Sequence, residues 1–120
     1  MHELSIAEAI VRIAAANAGD RRVSKVELKV GHLRQVVPSA LEFAFELVAQ
    51  GTPVEGAALE IEEVSAAGVC RGCGRENALA EFPFRCSRCG GLDFEVTRGE
   101  ELLVEALELE EALTTTGGTR

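Results

Sequence analysis

The stretch from Cys70 to Cys89, CRGCGRENALAEFPFRCSRC, decides how the second half of this 120-residue chain folds. It holds all four cysteines as two Cys-x2-Cys pairs, with twelve residues between the pairs. Two such turns can direct four thiolates at one tetrahedral zinc ion, at about 2.3 Å each. The large apolar residues in or beside the stretch are only Val69, Leu79, Phe82, Phe84 and Leu92. The segment is therefore predicted to need a bound metal for its order.

The predicted metal is a structural Zn(II), because four thiolates leave no open position for a substrate. Its predicted ligands are Cys70, Cys73, Cys86 and Cys89. Two alternatives remain, namely local disulfides, which are rare in the cytosol, and iron in place of zinc. Four arginines lie in or beside the two pairs, at Arg71, Arg75, Arg85 and Arg88. They either offset the charge of about −2 on a zinc tetrathiolate or are ordinary surface charge, and the sequence leaves both open.

Hydrophobic periodicity on either side of the cysteine stretch predicts two helices and three strands. Helical spacing runs from Leu4 to Ala18 before Gly19, and again from Pro38 to Gly51. Alternating apolar residues predict strands in RRVSKVELKVGHL (21–33), GAALEIEEVS (56–65) and FEVTRGEELLVEALELEE (94–111). The last is interpreted as one strand, although helical spacing fits part of it.

These elements predict the α+β class, with two helices on a three-stranded sheet. The sheet is interrupted by an inserted zinc-ribbon-like loop bearing the two Cys-x2-Cys knuckles. The expected domains are an α+β domain at 1–67 and 92–112 and a zinc-binding domain at 68–91. Residues 113–120 are expected to form a disordered tail.

The net charge of −8 and the pI near 4.8 argue against a nucleic-acid or anionic-membrane surface. They are compatible with a cationic protein partner or a metal cation. No apolar run reaches the ~20 residues of a membrane span, and the N-terminus lacks the pattern of a signal peptide, so a cytoplasmic protein is expected. Neither a phosphate-binding glycine motif nor a catalytic triad is present in the sequence, so no enzyme is predicted.

Three segments together resemble the HypA/HybF family of nickel-insertion metallochaperones. They are MHELSIAEAI (1–10), PSALEFAFELVAQGTPVEGAALEIEEV (38–64) and the paired cysteine knuckles. The resemblance extends from Met1 to about Glu110 and implies a nickel-binding domain beside a zinc domain. It also implies a GTPase partner, HypB, and delivery of nickel to the large subunit of [NiFe]-hydrogenase. In some bacteria the family serves urease, and the sequence does not choose between these recipients.

The resemblance assigns Ni(II) as cargo to the first three residues. The terminal amine of Met1 and the amide and imidazole of His2 can chelate one metal in adjacent rings, and the amide of Glu3 can add another nitrogen. Planar nitrogen donors suit Ni(II), whereas zinc prefers the tetrahedral sulfur site. Glu3 has a second interpretation, as an acid that stabilises a helix N-terminus. The other histidine, His32, is predicted to be a surface residue.

Two other functions fit the residues without the resemblance. One is a zinc-ribbon adaptor or nucleic-acid-binding module, which would be retained on a heparin or DNA column. The other is a rubredoxin-like electron carrier, whose iron tetrathiolate would colour the protein red. The sequence leaves open whether the chain is a monomer or a dimer.

Overall fold

The computed structural model describes residues 2–110, so Met1 and the predicted disordered tail lie outside the described residues. The helices are α1 (His2–Ala18) and α2 (Pro38–Ala49), and a short 3-10 turn covers His32–Arg34. The strands are β1 (Val23–Gly31), β2 (Ala58–Val64), β3 (Ala67–Cys70), β4 (Glu76–Ala78), β5 (Phe94–Arg98) and β6 (Leu102–Leu109). One sheet has the order β2-β1-β6 and the other β4-β3-β5. The predicted α+β class, with two helices and a three-stranded sheet, is confirmed.

The chain forms two compact units. Within the described residues, the first comprises residues 2–28, Val36–Ile61 and residues 104–110. The second comprises Lys29–Gln35 and Glu62–Leu103, and it contains the whole of the predicted zinc-binding segment at 68–91. The assignment of nickel to one part of the chain and zinc to the other stays a prediction.

The core of the first unit lies between two helices that pack on each other. Gly19 adopts φ +66 just after α1, and Pro38 occupies the first turn of α2, so both helix boundaries follow local sequence signals. Its buried apolar side chains come from α1, α2, β1 and the segment before β2: Ile6, Ala7, Ile10, Val11, Ala14, Ala18, Leu41, Ala44, Phe45, Ala49, Val23, Val26, Leu28 and Val54. No helix in residues 2–110 is long and apolar enough to cross a membrane.

Lys25 on the central strand of the first sheet is surrounded by carboxylates. Its Nζ lies 3.3 Å from Glu108 on β6, 3.5 Å from Glu60 on β2 and 3.7 Å from Glu27 on its own strand. The hydrogen bond with Glu108, followed by the charges of Glu108 and Glu60, raises the pKa of Lys25 above 10.5. These cross-strand pairs hold both edge strands of an acidic sheet to its centre.

The prediction of one strand over 94–111 is wrong, because β5 and β6 belong to different sheets. Gly99 separates them with φ +110, a conformation that favours glycine. The backbone there passes so close to β1 that a Cβ added to Gly31 would overlap the carbonyl group of Gly99, and a Cβ on Gly99 would overlap Ala66. The apolar alternation is interrupted there, because TRGEE (97–101) contains no hydrophobic residue, and the interpretation as one strand extended across this interruption.

The second unit has a core built largely around sulfur. The predicted loop contains β4 and most of β3, which pairs with β4 and β5 in antiparallel register. Strands of three and four residues are too short to show a periodic pattern. The buried side chains between residues 62 and 103 are Ala66, Ala67, Cys70, Asn77, Leu79 and Cys86. Phe82 and Leu92 are 84% and 63% exposed, so Leu79 is the one large aliphatic side chain of the segment that is fully buried among the described residues.

Candidate metal centre

The four cysteines converge on one point of the second unit. Their sulfur atoms all lie within 4.8 Å of one another, and all four are free thiols. The distance between the Sγ atoms of Cys70 and Cys89 is 3.5 Å, and that between Cys73 and Cys86 is 3.6 Å. Sulfurs at 2.3 Å from a central tetrahedral ion would be about 3.8 Å apart. The cluster therefore has the spacing that one tetrahedral metal ion requires.

The two knuckles have the same backbone structure. In the first, the N–H of Gly74 donates to the carbonyl of Cys70 at 2.7 Å, and the N–H of Cys70 donates to the carbonyl of Arg75 at 2.9 Å. In the second, the N–H of Gly90 donates to the carbonyl of Cys86 at 2.9 Å. Gly74 and Gly90 both adopt positive φ, +81 and +77, which closes each turn with little strain. Local turn geometry thus positions the cysteines in pairs.

Two further glycines lie beside the sulfur atoms. A Cβ on Gly91 would lie 3.3 Å from the Sγ of Cys89 and 3.4 Å from that of Cys70. A Cβ on Gly72 would lie 3.7 and 3.9 Å from the sulfurs of Cys70 and Cys89. The contacts of a Cβ on Gly91 would be tight, whereas those of a Cβ on Gly72 are ordinary van der Waals distances, so Gly91 is the glycine that leaves needed room beside the sulfurs.

Asn77 is the residue near this centre that sequence reasoning missed. It is the buried polar residue of the described chain, 8% exposed. Its Oδ1 accepts hydrogen bonds from the backbone N–H of Ser87 at 2.9 Å and from the Ser87 hydroxyl at 3.1 Å. Its Nδ2 donates to the carbonyl of Arg75 at 3.0 Å and to the Sγ of Cys86 at 3.6 Å. One amide therefore connects the two knuckles and contacts a ligand sulfur, which is the arrangement that orients metal ligands in many sites.

Hydrogen bonds concentrate negative charge on one sulfur. The backbone N–H of Cys89 acts most strongly on Cys86, followed by the N–H of Arg88 and the amide of Asn77, and together they lower the pKa of Cys86 to about 6. The Arg88 N–H lies 3.4 Å from this sulfur. Cys86 is therefore a thiolate at neutral pH, the form that binds a metal.

The pKa of Cys89 is shifted in the opposite direction from that of Cys86. The backbone N–H of Gly91 lowers its pKa, but hydrogen bonds with the thiols of Cys70 and Cys73 outweigh this effect and raise the pKa to about 11. Four sulfurs this close cannot all be ionised without a compensating charge. A divalent cation would supply that charge and allow all four to act as thiolates, so the residues present fit a zinc-type ion.

The arginines near the knuckles contact other groups. The Nε of Arg71 lies 3.3 Å from the carboxylate of Asp93, and the guanidinium of Arg85 donates to the carbonyl of Gly90 at 3.3 Å. Arg85 thus contacts the knuckle backbone and Arg71 an exposed carboxylate, so neither of these two contacts is with a sulfur.

Two of the predicted nickel residues, His2 and Glu3, lie in the first unit. His2 is exposed and begins α1, and Glu3 follows in the first turn. The Oε2 of Glu3 accepts a hydrogen bond of 3.1 Å from the backbone N–H of Val37, the residue that precedes α2. This N–H first, and Glu3's own N–H second, lower the pKa of the Glu3 carboxyl below 4.5. The Glu3 side chain is thus engaged in the fold, while Met1 lies outside the described residues.

His32 is partly exposed and contacts protein groups with both ring nitrogens. Its Nε2 lies 3.0 Å from the carbonyl of Ala80, and its Nδ1 lies 3.6 Å from a carboxylate oxygen of Glu63. Among residues 2–110, the one group of three or more His, Cys, Asp or Glu side chains arranged to hold a metal is the cysteine cluster. The contacts of His32 agree with its prediction as a surface residue.

The fold and this site define a small α+β metal-binding protein with a zinc-ribbon-like unit. Residues 1–109 match a family model described as hydrogenase/urease nickel incorporation, metallochaperone, hypA. The chain therefore belongs to the HypA family of hydrogenase maturation factors, and the predicted family is confirmed.

Individual relatives support this membership. The chain is 48% identical over 110 residues to the hydrogenase maturation factor HypA of Geotalea uraniireducens, covering 92% of this chain and 100% of the relative. It is 42% identical over 111 residues to that of Rippkaea orientalis, covering 92% and 97%. The solution structure of the Ni metallochaperone HypA from Helicobacter pylori aligns with a TM-score of 0.62 and 22% identity, over 91% of this chain and 97% of that one. At this identity the structural likeness shows a shared fold.

Proposed function

We propose that this protein binds Ni(II) at its N-terminus and delivers it for the maturation of [NiFe]-hydrogenase. The observation that carries the proposal is the match to the nickel-incorporation family, which begins at residue 1 and thus includes the predicted nickel residues. The Met1 amine, the amide and imidazole of His2 and the amide of Glu3 would supply nitrogen donors. Urease is the alternative recipient.

The position of His2 at the start of α1 supports this ligand set. The first N–H groups of a helix have no acceptor within the helix, so the amide nitrogens of His2 and Glu3 need not break a helical hydrogen bond to bind metal. The exposed imidazole of His2 can turn toward the same ion. Because metal ligands must lose their protons, nickel uptake would release protons and weaken in acid.

The cysteine centre would hold a structural zinc that orders the second unit. The sulfur spacing, the room left by Gly91, and the Asn77 network support this assignment. Bound zinc would supply the positive charge that four adjacent thiolates need, without taking part in nickel transfer. HypB as GTPase partner, the hydrogenase large subunit as recipient and a cytoplasmic location complete the proposal.

The test is a nickel titration of the intact protein, loaded with zinc, beside two variants. His2→Ala removes the imidazole, and one extra residue before Met1 moves the amine out of the chelate ring. Both should lose stoichiometric nickel binding while zinc content and Tm stay unchanged. His32→Ala is the matched control and should bind nickel normally. Native nickel affinity in the extended protein would overturn the proposal. A red colour in the purified protein would show that the cysteine site holds iron instead of zinc.

A further inference from the structure

Helix α2 exposes a pair of large apolar side chains. It buries Leu41 and Phe45 in the core, yet Phe43 is 64% exposed and Leu47 is 51% exposed. The two exposed residues are four positions apart, so they lie one above the other on the same side of the helix. Covering the exposed parts of both side chains would remove apolar surface from water, so this pair is a favourable contact for an apolar partner.

Two carboxylates form a second stripe beside the first. Glu42 and Glu46 are also four positions apart and are both exposed. At 100° per residue, each lies next to Phe43 or Leu47 around the helix. Within residues 2–110 neither carboxylate has an ion-pair partner. We call these four residues the α2 face: an apolar stripe and an acidic stripe that run parallel along one helix.

The α2 face begins close to the predicted nickel end of the chain. Val37, the residue before α2, is 52% exposed and donates its N–H to the carboxylate of Glu3. Glu3 directly follows His2 in α1. A helix of twelve residues is about 18 Å long, so a protein lying along α2 also reaches the start of α1.

We propose that the α2 face is the docking surface for a cationic amphipathic helix of the protein that exchanges nickel with this chain. Apolar residues of that helix would cover Phe43 and Leu47, and its lysines or arginines would pair with Glu42 and Glu46. Helices recognise one another in this way through apolar contacts at i, i+4 spacing and complementary charge. The role of the partner in nickel exchange rests on the proposed function, whereas the docking chemistry does not.

The charge of the face argues against a second copy of the same chain as its occupant. Two α2 faces in contact would bring four carboxylates together, in chains that each carry a net charge of −8. Like charges directly opposed at an interface oppose association, so a positively charged partner is favoured.

The first experiment uses a synthetic 18-residue helical peptide with one stripe of leucines and an adjacent stripe of lysines. Its binding is measured by fluorescence anisotropy against the zinc-loaded protein, beside a peptide of the same composition in scrambled order. Phe43→Ser/Leu47→Ser and Glu42→Lys/Glu46→Lys should each weaken binding by about tenfold or more, as loss of a central contact does. The same four substitutions should reduce co-purification with HypB.

Matched controls separate a specific surface from general charge. Phe82→Ser changes a more exposed phenylalanine, and Glu62→Lys/Glu95→Lys makes the same change in net charge on exposed residues elsewhere. Equal losses in the controls and the α2-face variants would overturn the proposal. So would a dimer that Phe43→Ser/Leu47→Ser converts to a monomer, because the occupant would then be a second copy. Every variant should bind nickel with the affinity of the unmodified protein. Nickel binding therefore tests the proposed function, and peptide binding tests the docking surface, in separate measurements.

Discussion

The carboxylate of Glu3 accepts a hydrogen bond of 3.1 Å from the backbone N–H of Val37, 34 residues further along the chain. The bond joins the first turn of α1 to the residue that precedes α2. It also favours a structural role for the Glu3 side chain at the N-terminus of α1 over a role at the nickel site. The carboxylate holds the start of α1 to the residue before α2, and the backbone amide of Glu3 stays the predicted nickel donor.

Replacement of this carboxylate should separate the two roles. Glu3→Gln keeps the backbone amide, so the variant should still bind one nickel in a titration. The weaker acceptor should speed hydrogen exchange at the Val37 amide, measured by NMR. Glu8→Gln, at an exposed position of the same helix, should leave that exchange rate unchanged. Loss of nickel binding in Glu3→Gln would instead make the side chain a ligand.

The same bond predicts a dependence of stability on pH. Because the pKa of Glu3 in the folded protein is lowered from 4.5, its carboxylate contributes to stability above that pH. The contribution is lost as the pH falls through the folded pKa. The difference in urea midpoint between the unmodified protein and Glu3→Gln should therefore be present at neutral pH and disappear in acid. A difference that persists in acid would contradict the assignment.

Asn77 should matter for metal retention although it is not a ligand. Asn77→Asp removes the N–H donor to Cys86 and places a negative charge beside a thiolate. Zinc affinity should fall about 10- to 100-fold, as for other residues that orient metal ligands. Competition with a chromogenic chelator measures this loss. Asn17→Asp, at an exposed position of α1, is the control and should retain zinc normally.

Removal of the metal should unfold one part of the chain selectively. Binding of a structural zinc contributes about 10 kcal/mol to folding, and the segment at 68–91 buries a single large aliphatic side chain, Leu79. Cys73→Ala or a strong chelator should therefore remove hydrogen-exchange protection from this segment. Amides in α1 and α2 should stay protected. Equal protection of the segment with and without metal would exclude a structural role for zinc.

The close backbone approach at Gly31 gives a prediction about stability alone. Gly31→Ala places a methyl group against the carbonyl of Gly99, which has no flexible side chain to move aside. A loss of about 3 kcal/mol or more in the free energy of unfolding is expected. Gly19→Ala is the control, because Gly19 has positive φ but open space around its Cβ position, so only about 1 to 2 kcal/mol should be lost. Equal effects of the two variants in urea unfolding would contradict the predicted overlap.

The features predicted correctly from sequence depend on neighbouring residues. Helix ends at Gly19 and Pro38 follow from backbone preferences of single residues. The grouping of Cys70 with Cys73, and of Cys86 with Cys89, follows from turns of a few residues. Each of these signals is carried by a few neighbouring residues, so it can be recognised without knowledge of the rest of the fold.

The features that were missed depend on distant contacts. The break between β5 and β6 at Gly99 follows from the close approach of Gly99 to Gly31. The position of the Glu3 side chain follows from its hydrogen bond to Val37. Asn77 looks like an ordinary polar residue in the sequence, because its partners Ser87 and Cys86 are brought to it only by the folded knuckles. No periodicity or spacing in the sequence encodes such pairs.

Each knuckle contributes one buried and one exposed cysteine. Cys70 and Cys86 are buried, whereas Cys73 and Cys89 are exposed. An ion held among them has a shielded half and an accessible half of its coordination sphere. Ligand substitution would then start at Cys73 or Cys89, by attack of a small thiol or chelator from the solvent side. The lifetime of the bound ion would depend on the size and concentration of the attacking molecule, so kinetic lability and equilibrium affinity can vary independently at this centre.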